Sequence, residues 1–357
     1  MTNISSHFVV GFDGTTVGPE VKKLMRRYPV AGFILFKRNI ESPKQVLELI
    51  TKLQRLASFP LFFGVDQEGG NVFRLGEPFT QVPPMAVVGE FYKKTKNKKQ
   101  IRLLGQVMAR EMRSVGFNWD FAPVVDVHSN PSNPIIGKRS FGPNPILVSA
   151  CAENFMKGLH DEGMMSCLKH FPGHGATSLD SHLDLPVVED AGRLLWKRDF
   201  LPYRRLIPKN CVPSIMTAHV VYPELDPVYC ATLSSNILVD LLRVRLGYTG
   251  LVVSDDFWMK AISDRYGFIE AAHHFFRAEG DIALICKDTE AQIKTLESLE
   301  KLAAKSAELK KKLVKSAKRI EKIKRKYFKI GSRPFLDVIG CAEHRVVVDG
   351  IICKGNS

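Results

Sequence analysis

Eight short apolar runs alternate with stretches of helical spacing, and that alternation limits what the chain can fold into. The runs are Phe8 to Phe12, Ala31 to Phe36, Leu61 to Val65, Phe117 to Val127, Met164 to Leu168, Pro213 to Thr217, Leu251 to Val253 and Asp281 to Ile285. Between them, apolar residues recur every three or four positions in Pro43 to Leu56, Gln100 to Val115, Pro145 to His160, Asn236 to Leu246 and Ile262 to Ala278. A run that is short and apolar throughout suits a strand buried on both faces, and its alternation with helices builds βαβ units and a parallel sheet. Eight such units close a barrel, so the expected fold class is α/β, a (β/α)8 TIM-type barrel forming a single domain. Residues 1–330 are assigned to this catalytic barrel and 331–357 to a tail of mixed character without an assigned structure.

Polar residues follow the apolar runs rather than precede them. Asp13 follows the first, Lys37 and Arg38 the second, Asp66 the third, Asp126 the fourth, Lys169 and His170 the fifth, His219 the sixth, Asp255 and Asp256 the seventh, and Lys287 the eighth. In a parallel barrel these positions ring the mouth at the C-terminal ends of the strands, where such barrels place their active sites.

The formal charge of +14 raises the question of a nucleic-acid partner, and the location of that charge answers it. Residues 301–329 hold 13 Lys and Arg against two Glu, a net +11. They belong to one long helical pattern through Ile293, Leu296, Leu299, Leu302, Leu309, Leu313, Ala317, Ile320, Ile323 and Tyr327, read as a final helix lying on the barrel wall and continuing beyond it with a solvated lysine face. The rest of the chain is close to balanced and no aromatics interleave the lysines, so no nucleic-acid partner is expected. The seven cysteines are odd in number and scattered, mostly in apolar runs, which suits reduced core residues. Met1 to His7 is polar, and no apolar stretch approaches the ~18 residues a membrane span needs. A cytoplasmic monomer is expected.

Four clusters could carry chemistry. Lys169-His170-Phe171-Pro172-Gly173-His174-Gly175, with Asp180-Ser181-His182 following, reads as a loop hinged at its glycines that presents an imidazole to a substrate. Leu251 to Asp256 is an apolar strand ending in two carboxylates, one of which suits the N-cap of the next turn and the other a nucleophile or electrostatic stabiliser in glycoside cleavage. Asp66-Gln67-Glu68-Gly69-Gly70 with Arg74, and Asn133 to Gly142, combine tight turns with side chains suited to sugar hydroxyls. A metal site built from His170, His174, His182 and His219 is a rival, but no His-x-His pair and no His-Glu-x-x-His occurs, and no metal or cofactor is assigned.

With these residues in order, the chain resembles the β-N-acetylglucosaminidases of glycoside hydrolase family 3, of the bacterial single-domain type that acts in cell-wall recycling. The resemblance runs from about Phe8 to Ile285 and rests on Gly32 to Asn39, Val65 to Gly70, Asn118 to Val127, Lys169 to His182, Met216 to His219 and Ser254 to Asp256. It implies that Asp255 is the nucleophile of a retaining mechanism, that His182 is the general acid/base held by Asp180, and that Asp66, Arg74, Arg139, Lys169 and His170 grip the sugar, with His219 lining the floor. The implied substrate is a muropeptide or other N-acetylglucosaminide. An imidazole beside a carboxylate keeps its acid form near neutrality and then serves as a base toward water. Because imidazole does not repel an anion as a carboxylate base would, phosphate is a conceivable acceptor, which would make the enzyme a phosphorylase. Attack by the substrate's own acetamido oxygen, a metal-dependent barrel hydrolase and a non-catalytic sugar-binding relic are the further alternatives. The chain departs from the family pattern at Asn71, Lys138 and Trp258.

Overall fold

Eight parallel strands form at the apolar runs: β1 (Phe8–Val10), β2 (Gly32–Leu35), β3 (Phe62–Val65), β4 (Trp119–Asp120), β5 (Cys167–Phe171), β6 (Ser214–Thr217), β7 (Leu251–Asp256) and β8 (Ile282–Ile285). The computed structural model describes residues 3–177, 185–328 and 333–355. Hydrogen-bonded neighbours run β4-β3-β2-β1-β8-β7-β6-β5, which leaves β4 and β5 at the two ends of the sheet. These ends meet through Asp120 N to Met165 O (2.8 Å), Cys167 N to Ala122 O (2.9 Å) and Val125 N to Lys169 O (2.8 Å), and the sheet closes into the expected TIM-type barrel. The seam is irregular because Pro123 has no N–H to donate and interrupts the run Phe117 to Val127 after two strand residues.

Two layers of core follow from strands buried on both faces. Inside the barrel lie Val9, Ile34, Phe62, Trp119, Phe121, Met165, Val253 and Leu284, while a larger shell packs between the strands and the outer helices. Trp119 anchors the interior, with its ring centroid 4.9 Å from that of Phe62 and 4.7 Å from that of Phe121, and its indole N–H donating to Ser214 Oγ at 3.0 Å. Burying each such side chain contributes about 1.5–3 kcal/mol. Gly64 leaves the space that Phe121 fills: a Cβ there would stand 2.7 Å from the Phe121 ring.

The basic segment differs from the expectation. It is two helices, Thr289–Lys305 and Ala307–Tyr327, broken at Ser306, whose backbone is extended and whose side chain accepts from Leu309 N as the N-cap of the second. The second helix crosses the N-terminal end of the barrel instead of running along its wall. Ile320 and Ile323 join the interior cluster beside Val9 and Phe62. Arg319 Nε reaches Asp281 Oδ1 at 2.7 Å, and Lys324 Nζ donates to Pro60 O at 2.7 Å and lies 4.7 Å from the Phe62 ring centroid. Part of the charge that reads as solvated surface is therefore the plug of the barrel base.

The tail acquires structure as well. The helix Ala342–Gly355 buries Val348 and Ile351 and packs on the helices Met85–Thr95 and Lys98–Ser114. Its anchor is the buried Glu111 carboxylate, which accepts from Thr80 N (2.8 Å) and Gly340 N (3.0 Å) and is bonded to His344 Nδ1 (2.7 Å). Among the described residues no helix is long and apolar enough to cross a membrane.

Candidate active site

The ends of β3, β5 and β7 converge on a cavity of about 220 Å³ lined by Asp66, Glu68, Arg74, Arg139, Lys169, His170, His174 and Asp255, with Val72, Ile135 and Met216 as its apolar surfaces. That volume falls below the ~300–1,000 Å³ of a drug-sized site and fits one sugar ring. Asp66 leaves β3 directly. The chain then turns through a small antiparallel hairpin, Gln67–Gly69 against Val72–Phe73, whose shape is fixed by Gln67 Oε1 accepting from Arg74 N (2.8 Å) and Leu75 N (3.1 Å). Glu68 and Arg74 come from this hairpin, and Arg139 ends the short turn Gly137–Arg139. Lys169 and His170 lie within β5, not in the loop after it.

Charge in the cavity wall is paired. Lys169 Nζ sits 2.8 Å from Asp66 Oδ1 and 2.6 Å from Glu68 Oε1, and Arg139 binds both oxygens of Glu68 at 2.8 Å in a bidentate fork. Burial alone would push the Glu68 carboxyl up, but Arg139 and Lys169 outweigh it and hold the group well below its ordinary range. Burial would likewise lower Lys169, and Asp66 and Glu68 reverse that, so its ammonium is held above its ordinary value. Arg74 stands 3.7 Å from Asp66 Oδ2.

A second network fixes the imidazoles. Asp126, fully buried, accepts from His170 N (3.1 Å) and His174 N (2.6 Å), and its Oδ2 lies 2.7 Å from His170 Nδ1. This orients the His170 ring so that Nε2 is the nitrogen left to face the cavity. Burial and the neighbouring His170 lower His174 to about 4, which leaves it a neutral hydrogen-bonding group. The glycines expected to hinge this loop act as packing sites up to Thr177. A Cβ on Gly175 would fall 1.7 Å from Val127 O, and Tyr222 and Asn133 donate to the carbonyls of Gly173 and His174.

Asp255 and Asp256 divide their roles as two positions at a strand end allow. Asp256 Oδ1 accepts from Trp258 N and Cys286 N, both at 3.0 Å, and so caps the following turn. Burial, together with Asp255, raises it to about 6. Asp255 accepts from Asp256 N at 2.8 Å and borders the cavity.

The architecture and this cavity coincide with a known pattern: residues 9–323 match the glycosyl hydrolase family 3 N-terminal domain. The chain belongs to glycosyl hydrolase family 3. As a member it is a glycoside hydrolase. It is 37% identical over 335 residues to β-hexosaminidase A of Pseudoalteromonas piscicida, a match that covers 87% of this chain and 56% of that protein. The β-hexosaminidase of Nitrosomonas eutropha is 38% identical over 290 residues, covering 80% of this chain and 82% of the relative. Among solved structures, a family 3 β-N-acetylglucosaminidase from Paenibacillus sp. superposes with a TM-score of 0.91 at 34% identity, covering 99% of this chain and 68% of that one. Native NagZ from Neisseria gonorrhoeae gives 0.82 at 28% identity, with 98% of both chains covered.

Six of the residues singled out in the sequence, Asp66, Arg74, Arg139, Lys169, His170 and Asp255, line this family 3 cavity. Asp180 and His182 lie outside the described residues. His219, expected on the floor, is set one layer back: it is 1% exposed, lies outside the cavity lining, and bonds Thr232 Oγ1 (2.8 Å) and Asp256 O (3.2 Å). Glu68, His174 and Asp126 lie in the motifs that the sequence singles out but have no role in the expected catalytic or sugar-binding set. For Glu68 the signal was available, since a carboxylate between Asp66 and two glycines in a tight turn has little reason to be buried without a cation. Asp126 follows the fourth run and belongs to the ring of strand-end polar groups, but its partner is fixed only by the fold.

Proposed function

We propose that this chain is a retaining exo-β-N-acetylglucosaminidase that releases the terminal sugar of muropeptides, of the N-acetylglucosaminyl-1,6-anhydro-N-acetylmuramyl type, in cell-wall recycling. The observation that carries the reading is the juxtaposition, around one sugar-sized cavity, of the Asp255 carboxylate with the Asp66, Arg74, Arg139, Lys169 and His170 side chains. The names of the β-hexosaminidase and β-N-acetylglucosaminidase relatives support the N-acetylhexosamine, and the recycling context comes from the resemblance that the motifs carry.

In this reading Asp255 attacks the anomeric carbon and forms a glycosyl-enzyme, the arrangement that meets an oxocarbenium-like centre with negative charge. His182, which follows β5 in the sequence and is assisted by Asp180, gives its proton to the leaving oxygen and then takes one from water. Asp66 accepts from ring hydroxyls, Arg74, Arg139 and Lys169 donate to them, and His170 offers Nε2. Glu68 keeps Arg139 and Lys169 charged and in place. His219 supports the strand end that carries the nucleophile. Residues 1–330 act as the catalytic barrel with 331–357 as an appended tail, and the protein works as a cytoplasmic monomer without a metal or other cofactor.

Release of p-nitrophenol from its β-N-acetylglucosaminide tests the class, and the expected outcome is turnover that far exceeds that of the β-glucoside. A 2-fluoro sugar should leave a stable adduct on Asp255. His182→Ala should be impaired on poor leaving groups and partly restored on those that need no protonation; equal impairment on both would remove His182 as the acid.

A further inference from the structure

Glu111, on the helix Lys98–Ser114, does not line the sugar cavity, yet its buried carboxylate joins two parts of the chain that are far apart in sequence. Its Oε2 accepts from Thr80 N at 2.8 Å. Its Oε1 accepts from Thr80 Oγ1 at 2.5 Å and Gly340 N at 3.0 Å, and lies 2.7 Å from His344 Nδ1. Thr80 belongs to the loop of residues 75–84, whereas Gly340 and His344 belong to the tail. The two parts also touch directly: Gly340 has a φ of +62°, and a Cβ there would stand 2.3 Å from Pro78 O.

The loop of residues 75–84 in turn backs the hairpin that supplies Glu68 and Arg74. Both its ends are fixed to that hairpin, Leu75 N donating to Gln67 Oε1 at 3.1 Å and Val82 O accepting from Gly70 N at 2.9 Å. Between them Phe79 is buried, as are Leu75 and Val82 themselves. The hairpin tip has no slack against the loop, since a Cβ on Gly69 would stand 2.7 Å from Pro83 O. A second route starts from the same tail. The helix Ala342–Gly355 packs on the helix Met85–Thr95, which packs on the turn Gly137–Arg139. The tail therefore lies behind both of the elements whose side chains, Glu68 and Arg139, meet in the bidentate fork.

We propose that Glu111 is a positioning residue for the sugar site: with the tail that it anchors, it holds the loop of residues 75–84 against the hairpin and so keeps Glu68 and Arg74 in register with Arg139, Lys169 and Asp66. This role goes beyond that of an appended tail, and it rests on the sugar-gripping assignment of Arg74, Arg139 and Lys169. A buried carboxylate with four partners fixes the groups around it, because each one released is left without a partner of its own. Side chains that hold the sugar alike in the ground state and the transition state act on KM rather than kcat when they are displaced. A shift of ~1 Å is enough to be felt.

The test is initial-rate kinetics on p-nitrophenyl β-N-acetylglucosaminide, with N-acetylglucosamine as a competitive inhibitor, on the full chain and its variants well below their Tm. In Glu111→Gln and His344→Ala, KM and the inhibition constant should both rise by about five- to tenfold while kcat stays within about twofold, as for a small displacement that weakens uniform binding. His344→Asn, which keeps an N–H near the position of Nδ1, should restore most of the loss. Leu296→Ala removes core under the helix Thr289–Lys305 and is the stability control, expected to lower Tm with both constants unchanged. Constants at parent values in Glu111→Gln and His344→Ala, with only Tm lowered, overturn the proposal and leave the tail a structural addition; so does a loss confined to kcat. If Glu111→Gln does not fold, His344→Ala decides alone. A parent that does not cleave the glycoside overturns the glycosidase reading instead, and the dissociation constant of N-acetylglucosamine then decides the proposal in the same variants.

Discussion

The two ends of the barrel both bury positive charge, and they treat it in opposite ways. At the mouth, Lys169 and Arg139 are held by Asp66 and Glu68, and all four side chains border a cavity. At the base, Arg243 and Arg319 converge on the fully buried Asp281, whose carboxylate also accepts from Val252 N at 2.8 Å. None of those groups lines the cavities at the mouth, and the charge there clamps the helix Ala307–Tyr327 to the barrel. The same residue types thus arrange a ligand site at one end and seal the core at the other, and the difference lies in whether the paired groups keep an edge toward open space.

If that division holds, substitutions at the mouth should act on kinetics and substitutions at the base on stability. The largest effect is expected from Asp255→Asn, which should lower kcat/KM by about 10⁴-fold, as for removal of a nucleophile, with Tm little changed. Activity equal to the parent's would break the assignment of the mouth as the catalytic end. Glu68→Gln comes next and sharpens the comparison, because Glu68 is structural and functional at once. It leaves Arg139 without its fork partner and Lys169 with Asp66 alone, so about 3–5 kcal/mol of stability should be lost, together with affinity for the sugar. Thermal unfolding and KM, measured on the same preparation, should both move.

Asp281→Asn is the counterpart at the base. It strands two guanidinium groups, and stability should fall by about 3 kcal/mol, whereas kcat/KM well below the new Tm should stay within about twofold of the parent. A large kinetic defect in folded enzyme would show that the base is coupled to the mouth and would end the comparison in its present form.

The two ends also differ in how much of them the sequence reveals. The mouth is legible because strand periodicity tells where each apolar run stops, and the groups just beyond, Asp66, Lys169 and Asp255, must then face one another around a closed sheet. Pairings across the mouth are not legible. Asp126 and His170 are 44 positions apart, and only the β4–β5 seam brings them together. His219 shows the limit of the same rule, since a polar residue just past a strand can point behind the site as readily as into it. Pro123 conceals the fourth strand, and the helices Pro19–Arg27 and Met85–Thr95 did not stand out from spacing alone. The base is not legible for a definite reason. Ile320, Ile323 and Tyr327 give the pattern of an ordinary amphipathic helix, and nothing in a periodicity distinguishes packing against the side of a barrel from plugging its end.

Lys324 allows the smallest and most specific test, because it is the base's counterpart to Lys169. Asp66 and Glu68 hold the Lys169 ammonium above its ordinary value, whereas among the described residues Lys324 meets carbonyls and rings, and burial lowers it from 10.5 to about 8. A base whose folded value is depressed has a charged form that folding disfavours. Below pH 8 the folded and unfolded chains both carry the proton and the penalty is present in full. Between about 8 and 10.5 the unfolded chain binds more protons than the folded one, so the contribution to stability rises with pH across that window and the penalty is gone above it. Lys324→Met removes the titration. The stability of the variant minus that of the parent should therefore decline as pH rises from 8 toward 10.5, by about 1 kcal/mol once partial exposure is allowed for. Denaturant titrations across that range measure it. A difference that stays flat would place Lys324 in solvent and return part of the basic helix to the surface role that its composition suggests.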